Sequence, residues 1–204
     1  LPDGWREDMQ GWLKRFPGQL DEVDRLVTKN PVFMARCQGT GAINTDDAID
    51  LGFSGPNLRA TGLKWDLRRM APYLGYENFE FDVPTGSSGD NYDRFLVCQE
   101  ELVQSMRIVR QCVPVIEKTA GEPLNVADPR IRWPAKERVF GRMEELIQQF
   151  KGVTEGIRVP AGEAYAAIES PNGELGFYIV SDGTGKPYKV RCRPPSFANV
   201  APMR

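Results

Sequence analysis

Histidine is absent from all 204 residues. That single absence excludes Ser-His-Asp and Cys-His nucleophilic catalysis, His-ligated zinc and the commonest general base. Any chemistry would fall to carboxylates, Tyr, Lys or a borrowed cofactor. Cysteine is scarce too: Cys37, Cys98, Cys112 and Cys192 are scattered, with no Cys-x-x-Cys pair. Four dispersed thiols are no disulfide framework and point to a reducing compartment. Cys98 and Cys112 fall on one predicted helix, about 21 Å apart at the rise of an α-helix, and cannot bridge each other. Without His or paired Cys, stoichiometric iron, nickel or zinc is not expected. No apolar run approaches the roughly 18–20 residues that span a bilayer. Leu1-Pro2-Asp3-Gly4-Trp5 lacks a basic stretch followed by an apolar core, so no signal peptide is expected. The missing initiator Met fits a processed or truncated chain. Nor does one sign of charge dominate. Lys and Arg number 26 against 28 Asp and Glu, and the net charge of -2 sets up no field favouring nucleic acid or an anionic membrane.

What is present reads as an ordinary globular chain with 41% hydrophobic and 26% charged residues, long enough for one sizeable domain or two small ones and taken as one domain, 1–204. Trp5, Met9, Trp12, Phe16, Leu20, Val23 and Val27 recur every three or four residues, the stripe of a helix face. Pro17-Gly18 interrupts it without losing phase, so the segment is one helix kinked at Pro17 or two nearly in line. A short helix is expected over Thr45–Leu51, capped by Thr45 and stopped by Gly52. Tyr76 to Val83 alternates and reads as a short strand before Pro84.

Gly86-Ser87-Ser88-Gly89-Asp90 opens the longest predicted helix, with Asp90 as N-cap and Asp93 where a capping-box acid belongs. Phe95, Leu102, Met106, Val109, Val113 and Ile116 would line one face, and Pro114 kinks or ends the helix. Asp90 and Arg94, four apart, are placed to pair on its surface. After a Pro- and Gly-rich linker, Gly121 to Pro134, another helix is expected from Pro134, burying Val139, Met143, Leu146 and Phe150 and stopping at Gly152. From Gly162 the period changes to two. Tyr165–Glu169, Leu175–Ser181 and Tyr188–Arg193 read as an antiparallel meander joined by an Asn172-Gly173 hairpin turn and the bend Asp182-Gly183-Thr184-Gly185. The fold class is therefore α+β, helical over 1–152 with strands over 162–193.

Candidate chemistry is thin. Gly39-Thr40-Gly41 lacks the third glycine of a dinucleotide loop. Gly183-Thr184-Gly185-Lys186 imitates the end of a phosphate loop, but Val180 stands where the motif needs Gly and Pro187 where it needs Ser or Thr. Glu77, Glu80, Asp82, Asp90 and Asp93 gather carboxylates that read as solvated or capping groups, with metal or proton handling the alternative. Lys189, Arg191 and Arg193 share one face of the last strand beside Lys186. They form either a partner-docking or lipid-facing edge or a charged edge that discourages aggregation.

Longer motifs carry a resemblance. Gly55-Pro56-Asn57-Leu58-Arg59-Ala60-Thr61-Gly62, Phe81-Asp82-Val83-Pro84-Thr85-Gly86-Ser87-Ser88-Gly89-Asp90 with Tyr92-Asp93-Arg94, Glu163 through Gly183, Pro187-Tyr188-Lys189-Val190-Arg191 and Arg193-Pro194-Pro195-Ser196-Phe197 follow one another in order. Together they closely resemble the C-terminal part of the hydrogenase-like large subunit (49 kDa-type) of complex I, the NADH-quinone oxidoreductase, across essentially the whole chain. The resemblance implies the large-subunit fold shared with [NiFe] hydrogenases. It also implies a place in the quinone-reducing module, peripheral to the membrane, on the cytoplasmic face of a bacterial inner membrane or the matrix side of an organelle. The implied partners are a cluster-bearing small subunit, the other complex I subunits and quinone. The implied chemistry is electron passage from the terminal iron–sulfur cluster of that partner to quinone, coupled to proton translocation.

No cofactor would be bound by this chain itself. The quinone-site His and Tyr of the family belong to its N-terminal half, so no catalytic, cofactor-binding or metal residue carries over. The family often has His-His-Phe where Gln148-Gln149-Phe150 stands. Gly86, Gly89, Asp90 and Asn172-Gly173 are expected to be structural. An energy-converting [NiFe] hydrogenase large subunit and a non-redox scaffold are the competing readings.

Overall fold

In the computed structural model, which describes residues 2–123, 125–128, 131–200 and 202, nine α-helices and a three-stranded sheet account for the regular structure. The fold is α+β. The helices are α1 Trp5–Val23, α2 Pro31–Cys37, α3 Thr45–Asp50, α4 Pro56–Arg59, α5 Leu67–Met70, α6 Asn91–Lys118, α7 Lys136–Gly141, α8 Met143–Thr154 and α9 Pro195–Asn199. The strands β1 Gly162–Ser170, β2 Gly173–Ser181 and β3 Lys189–Arg193 lie in the order β1-β2-β3. Of the linker Gly121 to Pro134, Leu124, Pro129 and Arg130 lie outside the described residues, as do the chain ends Leu1 and Arg204.

The chain divides into two compact units, the first Leu1–Lys118 with Ala167–Leu175 and Arg193–Arg204, the second Thr119–Ala166 with Gly176–Cys192. In the first unit α1 runs unbroken through Pro17 and passes at Asp24–Thr28 into a π-helical turn. Pro17 has no N–H to give the Leu13 carbonyl one turn back. Arg110 of α6 reaches that carbonyl instead, its Nη2 donating at 3.5 Å. Helix α6 likewise continues through Pro114 to Lys118, so of the kink or end expected at that proline the end does not occur. Its buried positions are Val97, Gln104, Met106, Ile108 and Val113, whereas Leu102 and Ile116 of the expected stripe are exposed. The buried set spans two faces because α6 packs against α1 on one side and α4 on another.

The segment 76–83 corrects a strand expectation. Tyr76–Asn78 is a 3-10 turn, and the residues after it are extended without a partner strand. The alternation is real: Phe81 and Val83 are buried with Ile108, and Glu80 and Asp82 face out. The backbone bonds go to helix side chains. Gln104 Oε1 accepts the Asp82 amide at 2.9 Å. Gln111 Oε1 accepts the Glu80 amide at 2.8 Å, and Gln111 Nε2 donates to the Glu80 carbonyl at 2.7 Å. Two glutamines seven residues apart on α6 thus take the backbone hydrogen bonds that a partner strand would have taken.

In α3 the cap is Asn44, whose side chain accepts the Asp47 amide at 2.8 Å. Thr45 instead donates its hydroxyl to the Thr61 carbonyl, so the expected Thr45 cap is displaced by one residue. Gly52, with φ +74°, ends the turn as expected.

The second unit departs further from expectation. The single helix expected from Pro134 to Gly152 is two, because Arg142 is extended between α7 and α8. Helix α8 passes Gly152, whose lack of a side chain serves another end: a Cβ there would stand 2.9 Å from the Trp133 ring. Met143, Leu146 and Phe150, expected to be buried, are exposed, and Phe140 is 82% exposed. Among its described residues only Gly176 is buried, so no side chain of this unit forms a core. Local stability follows buried apolar contact. Amides of α7 and α8 are therefore expected to exchange with solvent deuterium orders of magnitude faster than those of α6 around Met106 and Ile108. Equal protection in native-state hydrogen exchange would contradict this.

The Thr184 hydroxyl and amide both donate to Asp182 Oδ1, at 2.7 and 3.0 Å, and make 182–186 a turn rather than a phosphate loop.

Candidate functional site

Four of the motif segments meet in the first unit, and glycines set how closely. The two-residue link Pro171-Asn172 joins β1 to β2, one residue earlier than the expected Asn172-Gly173 turn. Gly173, at φ +126°, instead opens β2 and lies against Ser54 and Gly55. A Cβ on Gly173 would stand 2.5 Å from Ser54 Oγ, and one on Gly55, at φ +65° and ψ -147°, 2.6 Å from the Gly173 nitrogen. Buried Ser54 accepts the Glu174 amide at 3.0 Å. Arg193 donates to the carbonyls of Glu174 (3.0 Å) and Gly52 (2.9 Å), and thereby leaves the basic face expected for Lys189, Arg191 and Arg193.

The 86–94 segment is tied to the same place. Gly86 and Gly89 donate their amides to the carbonyls of Arg59 and Ala60, at 2.9 and 3.0 Å. A Cβ on Gly86 would stand 2.5 Å from the Ala60 carbonyl oxygen, which explains that glycine.

Asp90 caps α6 as expected. Its Oδ1 accepts the Asp93 amide and its Oδ2 the Gly39 amide, both at 2.8 Å. With both oxygens so used, it does not pair with Arg94. Arg94 donates instead to the carbonyls of Gly89 (2.7 Å) and Gly41 (2.6 Å). Nor does Asp93 reach back to the cap residue: its Oδ2 accepts the amides of Ser87 and Ser88. Burial pushes the Asp90 carboxyl up, but the amides of Asp93, Gly39 and Tyr92 outweigh it and hold the group below the ordinary aspartate range.

A folded pKa below the unfolded value gives stability that is present above the unfolded pKa and lost as pH falls through the folded one. The protein is therefore expected to lose stability below about pH 4, the ordinary aspartate value, and Asp90→Ala to lose that acid sensitivity. Asp90→Ala should also cost about 1–3 kcal/mol at neutral pH, from the cap and the stranded Gly39 amide. Denaturant titrations at several pH values measure both effects.

At the centre lies Arg59, with a side chain 1% exposed. Its Nε and Nη2 donate to Glu101 Oε1 at 2.8 and 2.5 Å, and its Nη1 to Glu169 Oε1 at 2.8 Å and the Trp65 carbonyl at 2.9 Å. One guanidinium thus joins α4, α6, β1 and the loop before α5. Asp66, fully buried, chelates Arg68 through Nε and Nη2 and caps α5 by accepting the Arg68 amide. The Glu169 amide donates to the Tyr73 hydroxyl at 2.9 Å. Arg68 and Arg69 lie over the Phe81 ring, 4.9 and 3.9 Å from its centroid.

Burial opposes the charge on Arg59, but Glu101 and Glu169 outweigh it and raise its pKa. Burial also pushes Asp66 up, and Arg68 more than reverses it. None of Arg59, Asp66, Glu101 and Glu169 figured among the carboxylates and cations singled out from sequence. Arg59 and Glu169 stood inside the resembling motifs, which was the one available signal.

Of those singled out, Glu80 and Asp82 pair with Arg107 at 3.7 and 2.9 Å on the surface. Such exposed pairs are worth about 0–1 kcal/mol. All four cysteines are free thiols, and among the described residues no three His, Cys, Asp or Glu side chains gather closely enough to hold a metal. Two open clefts of about 730 and 780 Å³ lie along α6.

The family described as "Respiratory-chain NADH dehydrogenase, 49 Kd subunit" matches residues 1–204. The chain belongs to this family. It is 50% identical over 202 residues to a D-type subunit of the NADH-quinone oxidoreductase of Anaeromyxobacter sp. (strain Fw109-5), covering 99% of this chain and 46% of the relative. It is 46% identical over 200 residues to the D-type subunit of Paramagnetospirillum magneticum, covering 98% and 50%. It is also 51% identical over 189 residues to a D-type subunit of Sorangium cellulosum, covering 92% and 46%. The chain spans about half the length of these 49 kDa-family relatives. No helix among the described residues is long and apolar enough to cross a membrane.

Proposed function

We propose that this chain is part of the quinone-reducing module of a respiratory NADH:quinone oxidoreductase, with the hydrogenase-like large-subunit fold and as one domain with its two units. In this role it shapes the site where electrons leave the terminal iron–sulfur cluster of a partner subunit for quinone, in a reaction coupled to proton translocation. The observation that carries the reading is the match to the 49 kDa family along all 204 residues, whose motifs 55–59, 86–90, 169–174 and 193–197 converge on one buried junction.

The chain supplies no catalytic residue and no cluster ligand. An iron–sulfur cluster is held by several thiolates at once, and Cys37, Cys98, Cys112 and Cys192 stand on separate turns or elements. Its contribution is a framework that sets distance and orientation for groups held elsewhere. Partners are the cluster-bearing small subunit and the other subunits of the complex. Association with the membrane is peripheral, at the cytoplasmic face in a bacterium.

Affinity-tagging the intact protein in its native host tests this. The tag is expected to bring down an iron–sulfur protein and NADH:quinone reductase activity together, and deletion of the gene to abolish that activity. Purification without a cluster-bearing partner, together with undiminished NADH:quinone activity after deletion, would sink the reading.

A further inference from the structure

Three carboxylates, Asp66, Glu101 and Glu169, share two guanidinium groups, Arg59 and Arg68. Fully ionised, the cluster carries one negative charge too many. It does so where the Arg59 and Asp66 side chains are 1% and 0% exposed. An unbalanced buried charge is costly, and a carboxylate sheds it by taking up a proton.

The bonding selects which carboxylate. Asp66 Oδ1 receives the Arg68 amide and Nε, and its Oδ2 receives Arg68 Nη2. Glu169 Oε1 receives Arg59 Nη1, and its Oε2 receives the Leu67 amide at 3.2 Å. A proton on any of those four oxygens would face an N–H donor. On Glu101 both bonds fall on Oε1, and among the described residues no donor reaches Oε2. Glu101 also has the most exposed side chain of the three, 17% against 4% for Glu169 and none for Asp66. Water therefore has access to it.

We propose that Glu101 is a proton-binding site, its Oε2 carrying a proton taken from water and returned to water while Oε1 remains the acceptor for Arg59. Protonated Glu101 leaves two balanced pairs, Arg59 with Glu169 and Arg68 with Asp66. The charged and titratable groups facing it are Arg59 on α4, Asp66 and Arg68 at α5, Glu169 on β1, and Cys98 one turn earlier on α6. Burial raises the Glu101 pKa above the ordinary glutamate value, Arg59 and Arg68 oppose that, Glu169 adds to it, and the net direction is up. The inference rests on the cluster alone and stands whether or not the chain serves quinone reduction.

Infrared spectroscopy of the full-length protein across pH tests it, with wild type, Glu101→Gln and Glu169→Gln compared. Glutamine keeps the carbonyl acceptor and mimics a neutral carboxyl. The expected result is a protonated-carboxyl C=O band that persists above the ordinary glutamate pKa of about 4.3. The band disappears in Glu101→Gln, and in Glu169→Gln it moves to lower pH, because Glu169 is one of the charges that hold the proton on Glu101. Glu101→Asp keeps a carboxyl and shifts the band, which covers a glutamine variant that does not fold.

Denaturation supplies a second reading with opposite signs for the two cases. A folded pKa above the unfolded one means wild type loses stability relative to Glu101→Gln as pH rises between the two values. A Glu101 with a folded pKa below the unfolded one would instead make wild type gain as pH rises toward the ordinary glutamate value of about 4.3 and stay level above it. A gain, a band that survives Glu101→Gln unchanged, or no band above the ordinary range overturns the proposal.

Discussion

Arg59→Met is expected to destabilise the intact protein by about 3–5 kcal/mol, the range for removing one partner of a buried ion pair. Methionine fills much of the space, so the loss is electrostatic. Glu169 would be left 4% exposed with its Oε1 unpaired, and the Trp65 carbonyl and Glu101 would lose their donors as well. Arg59→Lys is not a conservative rescue. The guanidinium serves Glu101, Glu169 and Trp65 from three nitrogens in one plane, and an ammonium on a flexible stem cannot span that fork. Rescue should come instead from Arg59→Met with Glu169→Gln, which removes the stranded charge and recovers part of the loss. Denaturant unfolding of the three variants decides. A loss under about 1 kcal/mol for Arg59→Met, no more than an exposed pair is worth, would show that the cluster does not hold the fold.

Local chemistry made some of this structure legible and long-range pairing hid the rest. The opening of α6 at Asp90, the stop at Gly52 and the three-stranded meander follow from caps, positive-φ glycines and a period of two, all of which act within a few residues. The strand expected at 76–83 failed although its alternation was correct. The pattern reports which side chains turn inward, not what the backbone bonds to, and here the partners are Gln104 and Gln111 of a helix some 22–31 residues away. Met143, Leu146 and Phe150 failed in the other direction, since a helical stripe states that a face is apolar without stating that anything in this chain covers it.

The buried junction was the least legible part. Arg59 meets Glu101 and Glu169 at separations of 42 and 110 residues, and no local pattern marks an arginine or a glutamate for burial. Only the resemblance of the motifs around Arg59 and Glu169 singled out those two stretches, Glu101 lay outside every motif, and the resemblance supplied no reason for the residues themselves.

Gly55→Ala should reach the same junction from its other side. Gly55 holds φ +65° and ψ -147°, a region essentially reserved for glycine, which costs another residue about 1–3 kcal/mol. The added methyl group would also meet the backbone of Gly173, and backbone cannot swing aside as a side chain can. The hairpin tip must then move off the Ser54-Gly55 loop, breaking the bond from the Glu174 amide to Ser54 Oγ and drawing Glu169 away from Arg59. A total loss of about 3–5 kcal/mol is expected, comparable to that of a large core deletion. Because Gly55→Ala and Arg59→Met would break one shared docking of the hairpin, their effects should not add. Sites in one network commonly show coupling of about 0.5–3 kcal/mol, and the double variant is expected to fall short of the sum by an amount in that range. Gly39→Ala provides the contrast: it shares the positive φ, +67°, but a Cβ there meets nothing within 4 Å, so it should cost only the conformational strain of about 1–2 kcal/mol. Strict additivity of Gly55→Ala with Arg59→Met, or equal losses at Gly55 and Gly39, would mean that the hairpin tip and the arginine cluster are held independently.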